Sequence, residues 1–176
     1  MAVWNVINHQ ELSSSAATVT HSSIPDSYDH LHGIISARSD ESAYVSNVLL
    51  NFNNDTGSNY NSVEMIVSSS SPTASKENGV ADIGHPPIPA ASALADTFSS
   101  TEFWIFNYKN TTHFKPMLIN SVAPNNSTTD SQWQLRQTSG LWASTVAISE
   151  IDFTISGGHD FVQYSTFTLY GINGAA

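Results

Sequence analysis

Short runs of β-branched and aromatic residues recur along the whole chain, separated by clusters of Asn, Asp, Gly, Pro and Ser. This rhythm constrains the fold more than any single motif, because it is the pattern of strands joined by turns. The runs cover residues 3–7, 16–20, 28–38, 45–52, 60–67, 98–109, 113–122, 131–137, 146–155 and 161–172. Composition points the same way. Only 11% of residues are charged, so the side chains that usually coat helices are scarce. Ser, Thr and Asn replace them, and these compete with helical backbone bonds. The expected fold is all-β: an antiparallel β-sandwich, jelly-roll-like, with about nine or ten strands. At 176 residues the chain suits one domain, 1–176, with 1–20 as an N-terminal arm and 68–97 as a long loop.

Alternation inside the runs assigns faces. In 28–38, Leu31, Gly33, Ile35 and Ala37 share one face, and His30, His32, Ser36 and Arg38 the other. In 45–52, Val48, Leu50 and Phe52 point inward. The turn signal Asp55-Thr56-Gly57-Ser58 follows, and 60–67 sets Val63, Met65 and Val67 opposite Ser62 and Glu64. These two runs are expected to pair as a hairpin. Phe103, Trp104, Ile105 and Phe106 are apolar on both faces, which marks a central strand or one whose outer face meets another subunit. Residues 113–122 are expected to pair back on it. Trp133 and Leu135 alternate with Gln134 and Arg136. Residues 68–97 break the rhythm. Pro86, Pro87 and Pro89 remove ladder donors and bar a central strand. Ala90 to Ala95 is expected to form one or two helical turns. The stretch reads as a partner-facing excursion from the body.

Charge excludes several functions. Five Lys and Arg against fifteen Asp and Glu leave a formal net charge of −10. A nucleic-acid binder needs basic clusters to displace counterions, and an anionic membrane surface repels such a chain. No apolar stretch approaches the ~20 residues of a spanning helix, and the opening residues lack the basic and apolar regions of a signal peptide. With no cysteine, disulfides, zinc-thiolate sites and thiol catalysis are excluded.

Candidate chemistry is sparse. His30 and His32 would project from one strand face, but a metal needs a third ligand, and Asp29 lies on the opposite face. Asp55 to Asn59 places oxygens at alternate positions as calcium loops do, without the bidentate Glu that completes one. No Gly-x-Ser-x-Gly elbow and no phosphate-cradling glycine loop is present. Glu64, Glu102, Glu150 and Asp152 are the carboxylates from which a hydrolytic pair would be drawn. Trp104 and Trp133 have apolar strand neighbours and read as core. Trp142, two residues after Gly140, is the better candidate for exposure, and a sugar-binding reading would need an exposed aromatic shelf around Trp142 and Tyr164.

Four stretches together resemble a known group. Ser22-Ser23-Ile24-Pro25 leading to Tyr28, His30 and Leu31, the turn from Asn51 to Tyr60, Gly140-Leu141-Trp142 with Ala147-Ile148, and the close from Ser165 to Ile172 resemble, in order, segments of small structural proteins of tailed bacteriophages. The resemblance implies a non-enzymatic virion component on the outer surface of the particle, with no cofactor. It does not fix the place on the particle. The lack of a coiled-coil or β-helical shaft, and a short acidic chain with an N-terminal segment and a Pro-rich excursion, lead to the expectation of a capsid decoration (cement) protein, by analogy a homotrimer that binds the major capsid protein or other virion subunits. The alternative it leaves open is a tail or adhesion component with a lectin-like glycan-binding sandwich. The residues expected at the partner interface are Trp4, Pro86, Pro87, Ile88, Phe103, Trp104 and Trp142.

Overall fold

A computed structural model describes residues 3–68, 71–125 and 133–174. Those residues form twelve strands and no helix. They are β1 (Val3–Glu11), β2 (Thr18–His21), β3 (His30–Ser36), β4 (Val45–Phe52), β5 (Tyr60–Ser68), β6 (Ser71–Val80), β7 (Pro87–Pro89), β8 (Ser100–Phe106), β9 (Lys115–Ala123), β10 (Gln134–Trp142), β11 (Ile151–Ile155) and β12 (Thr166–Asn173). An eight-stranded sheet runs β1-β12-β3-β8-β9-β10-β5-β6, and a four-stranded sheet runs β2-β11-β4-β7. Every pairing is antiparallel.

The expected all-β sandwich is present, with twelve strands rather than nine or ten. The core lies between the sheets. Leu31, Ile35, Phe103, Ile105, Phe167 and Leu169 come from the large sheet, and Val48, Leu50, Phe52, Ile151 and Phe153 from the small one. Phe153 sits 5.9 Å from Phe103 and 5.3 Å from Phe167, so aromatic rings join the layers. Gly33 lies directly under the Phe103 ring. A Cβ there would fall 2.0 Å from a ring carbon, so this strand approaches its neighbour only without a side chain.

Several sequence expectations are corrected. The 45–52 and 60–67 runs do not pair as a hairpin: β4 joins the small sheet beside β11, and β5 joins the large sheet beside β10. The connection instead caps one end of the sandwich. Asp55 accepts hydrogen bonds from the Gly57 amide (2.9 Å), Asn59 Nδ2 (2.9 Å) and Trp142 Nε1 (2.7 Å). Burial pushes the Asp55 carboxyl up, but those donors outweigh it and hold the group below the usual range. These donors tie the carboxylate into the loop and to β10, which gives Asp55 a structural task.

The 68–97 stretch belongs largely to the body. β6 is the edge strand beside β5, and β7 is the edge strand beside β4. The prolines do avoid a central position, as their missing N–H requires. Ala90 to Ala95 makes a single turn, with the Ala93 amide donating to the Ala90 carbonyl, and no helix. The following loop is pinned by Arg38, whose guanidinium donates to the carbonyls of Ala91, Ala93, Leu94 and Thr97. The 1–20 segment likewise supplies β1 and most of β2, the edge strands at the other ends of the two sheets. Pro124 to Thr128 reads in the sequence as a loop, and most of it, with the start of the 131–137 run, lies outside the described residues.

Candidate functional site

The outer face of the large sheet is the most unusual surface of the molecule. On β5 and β10 the ordinary pattern is reversed. Val63, Met65 and Leu135 face solvent at 54%, 45% and 47% exposure, while Glu64 and Arg136 point into the sandwich. Trp133, expected in the core, is exposed, and Trp142, expected on the surface, is buried. Burial of Arg136 with Glu64 explains the reversal. The pair is 3.7 Å apart, and the Arg136 guanidinium also donates to the His85 carbonyl. Once these two charges partner each other inside, period-2 geometry forces their apolar neighbours outward.

Register defines the rows on that outer face. One row runs Val6, Tyr170, His32, Trp104, Leu118, Ser139, Val63 across seven strands. Trp4 closes over its end, with its ring 5.0 Å from His32 and 5.5 Å from Trp104. The next row runs Ile34, Glu102, Asn120, Gln137, Met65. Its middle is a hydrogen-bonded ladder. Gln137 Nε2 donates to Asn120 Oδ1 (3.2 Å), and Asn120 Nδ2 donates to Glu102 Oε1 (3.1 Å). His32 Nε2 meets the other Glu102 oxygen at 3.3 Å. Hydrogen bonds from Asn120 and then His32 hold the Glu102 carboxyl below its ordinary range, so it is ionised at neutral pH. Around the ladder the face dips into a hollow of about 550 Å³.

The residues expected at a partner interface divide sharply. Trp4 and Trp104 meet on the outer face. Pro86, Pro87, Ile88, Phe103 and Trp142 are buried within the chain, so their side chains are committed to its own packing. The strand carrying Phe103 to Phe106 is central in the large sheet: Phe103 and Ile105 face the core, Trp104 and Phe106 the outer face. The shelf expected around Trp142 and Tyr164 does not exist, because only Tyr164 is exposed.

Other candidates are dispersed. His30 Nδ1 accepts from the Asn107 amide, while His32 turns to Glu102. Among the described residues no group of three His, Asp or Glu is arranged to hold a metal. Glu64 and Glu102 lie on opposite faces of the large sheet, and Glu150 and Asp152 belong to the small-sheet side, where Thr20 donates to Asp152 at 2.6 Å. Among the described residues no helix is long and apolar enough to cross a membrane. The ladder was missed by sequence reasoning, because Glu102, Asn120 and Gln137 come from three strands with no local motif. Comparison with family models, curated proteins and solved structures finds no significant match to the chain.

Proposed function

We propose that this chain is a non-enzymatic structural subunit of a virion, a capsid decoration protein that binds between neighbouring subunits on the outer surface of the head. The order of the four phage-like sequence segments supports the virion setting. The structural observation that carries the attachment mode is the pair of free edges on the large sheet. β1 and β6 are nine and ten residues long and largely exposed, and among the described residues nothing pairs with their outer sides. Such edges present rows of unpaired N–H and C=O groups to any strand of matching register.

The topology also suits repetition. Seven antiparallel steps separate β1 from β6, so the two edges run in opposite directions. β6 of one copy laid beside β1 of the next therefore continues the same antiparallel order, the head-to-tail contact from which a trimeric ring closes. Pro72 and Lys76 on β6, and the register shift between Val6 and Asn8 on β1, discourage indiscriminate pairing. Many such weak contacts over a lattice hold by avidity.

The test is co-sedimentation of purified protein with particles that lack it, scored separately on heads and tails. Binding to heads, with heads made more resistant to heat, is expected. Binding to tails or host cells alone refutes the decoration reading.

A further inference from the structure

We propose that the hollow on the outer face of the large sheet is a binding site for a neutral saccharide chain. The proposal is independent of how the protein attaches to a particle, because it uses side chains in the middle of the sheet and not its edges.

The ladder leaves hydrogen-bonding capacity unused. Glu102 is an ionised acceptor whose side chain is 48% exposed, and its oxygens retain lone pairs beyond the bonds from Asn120 and His32. Asn120 and Gln137 each spend one N–H on the ladder and keep another donor. The row thus offers acceptor and donor groups side by side, at the ~4.8 Å interstrand repeat. Adjacent hydroxyls on a pyranose each donate and accept, so they complement such a row. The ladder bonds fix the rotamers beforehand, which lowers the ordering cost of binding.

The surroundings match the other half of a sugar. Val122 and Leu135 line the hollow on one side of the ladder, with Ile34 and Met65 at its ends, while Trp104 stands one row away on the other side, its ring packed against Trp4, His32 and Phe106. Sugar rings carry C–H faces that pack on apolar walls, while their hydroxyl edges reach polar groups. The hollow of about 550 Å³ lies within the range of small-ligand sites.

The same chemistry argues against other occupants. The ladder ends on a carboxylate and the chain carries −10, which disfavours anionic glycans, phosphates and nucleic acids. A protein face pressed flat here would have to bring a donor to Glu102 or leave an ionised carboxylate without water. A hydroxyl-rich ligand supplies that donor intrinsically.

The experiment uses the full chain and a panel of neutral hexasaccharides (maltohexaose, cellohexaose, mannohexaose and N-acetylchitohexaose), followed by calorimetry and tryptophan fluorescence. At least one is expected to bind and to perturb tryptophan emission. Glu102→Gln and, separately, Gln137→Leu are expected to weaken it by about tenfold, the effect of losing one hydrogen bond to a polar ligand. Tyr164→Ala, on the loop before β12 and outside the hollow's lining, is expected to leave it unchanged. Silence across the panel overturns the proposal. So does binding that survives Glu102→Gln and Gln137→Leu in proteins with unaltered melting, or mutual burial of this face in a second copy shown by mass and crosslinking.

Discussion

Arg136→Met should be among the most destabilising single substitutions in this protein, although it replaces a charge by a buried apolar side chain of similar length. The Arg136 and Glu64 side chains are 10% and 4% exposed and 3.7 Å apart. At an effective dielectric constant of about 20, that separation gives roughly 4 to 5 kcal/mol of attraction. Desolvation offsets it. Burial pushes the Glu64 carboxyl up despite Arg136 and His85, and pulls the Arg136 guanidinium down despite Glu64. Each ion is therefore under-compensated while its partner is present, and far worse off alone. Removing Arg136 strands a buried carboxylate whose other bonds are long, the nearest being Thr138 Oγ1 at 3.4 Å. The expected cost is about 3–5 kcal/mol, and Glu64→Leu alone should cost a similar amount. The double variant, Glu64→Leu with Arg136→Met, should return to within about 1 kcal/mol of the parent or exceed it. Urea denaturation of all four proteins closes the cycle, with midpoints compared at unchanged slopes. A single-variant loss under about 1 kcal/mol, or a double variant as weak as the sum, would falsify the account.

Two further outcomes follow from the same region and its neighbour. His85 is raised above its ordinary value first by its 2.8 Å contact with Asp82, against the opposing effect of burial, with Glu77, Asp82 and Glu64 adding to the pull; Arg136 faces the same cluster. The stabilisation from protonated His85 is thus complete below the unfolded imidazole value near 6.5 and lost as pH rises through the raised folded value. The melting temperature should fall over that window, and His85→Gln should flatten the dependence. Arg38→Ala should free the 91–97 loop by removing its bonds to four carbonyls, at a cost of about 1–3 kcal/mol. Limited proteolysis and amide exchange should both localise the change to that loop, and uniform protection there would contradict the pinning role.

Strand existence was legible wherever apolar residues alternate with polar ones, as in Val48, Leu50 and Phe52 or Phe167 and Leu169, because half-buried strands require that period. The sheet to which a strand belongs was not. The turn from Asn53 to Asn59 has every local mark of a hairpin, yet it spans two layers, and only the distant Trp142 donor to Asp55 reveals its role. The apolar side of β5 was legible, but not that it faces outward. That choice depends on a charge pair assembled from residues 64 and 136, which no local window contains. Edge strand β6 was hidden by its polarity: an exposed edge needs little apolar content to pair on one side. The candidate site was half visible. Trp4 and Trp104 were expected at a partner interface, although Trp104 also read as core; Glu102 stood only among the hydrolytic carboxylates, and its ladder with Asn120 and Gln137 exists only through register.

The position of the last strand bears on when the protein can fold. β12 lies between β1 and β3 in the large sheet, and among the described residues β1 has no other partner there. β2 likewise waits for β11, also near the chain's end. At about 5–20 residues per second, the first strand emerges from the ribosome roughly ten to thirty seconds before the residues that will cover it. Throughout that interval Trp4 and Val6 lie on an unpaired, nearly uncharged strand, open to association with other nascent chains. High contact order of this kind also slows the closing step itself. Nucleation can begin in β8, β9 and β10, which follow one another in both sequence and space, but the large sheet is completed only when its final strand slides in beside its first.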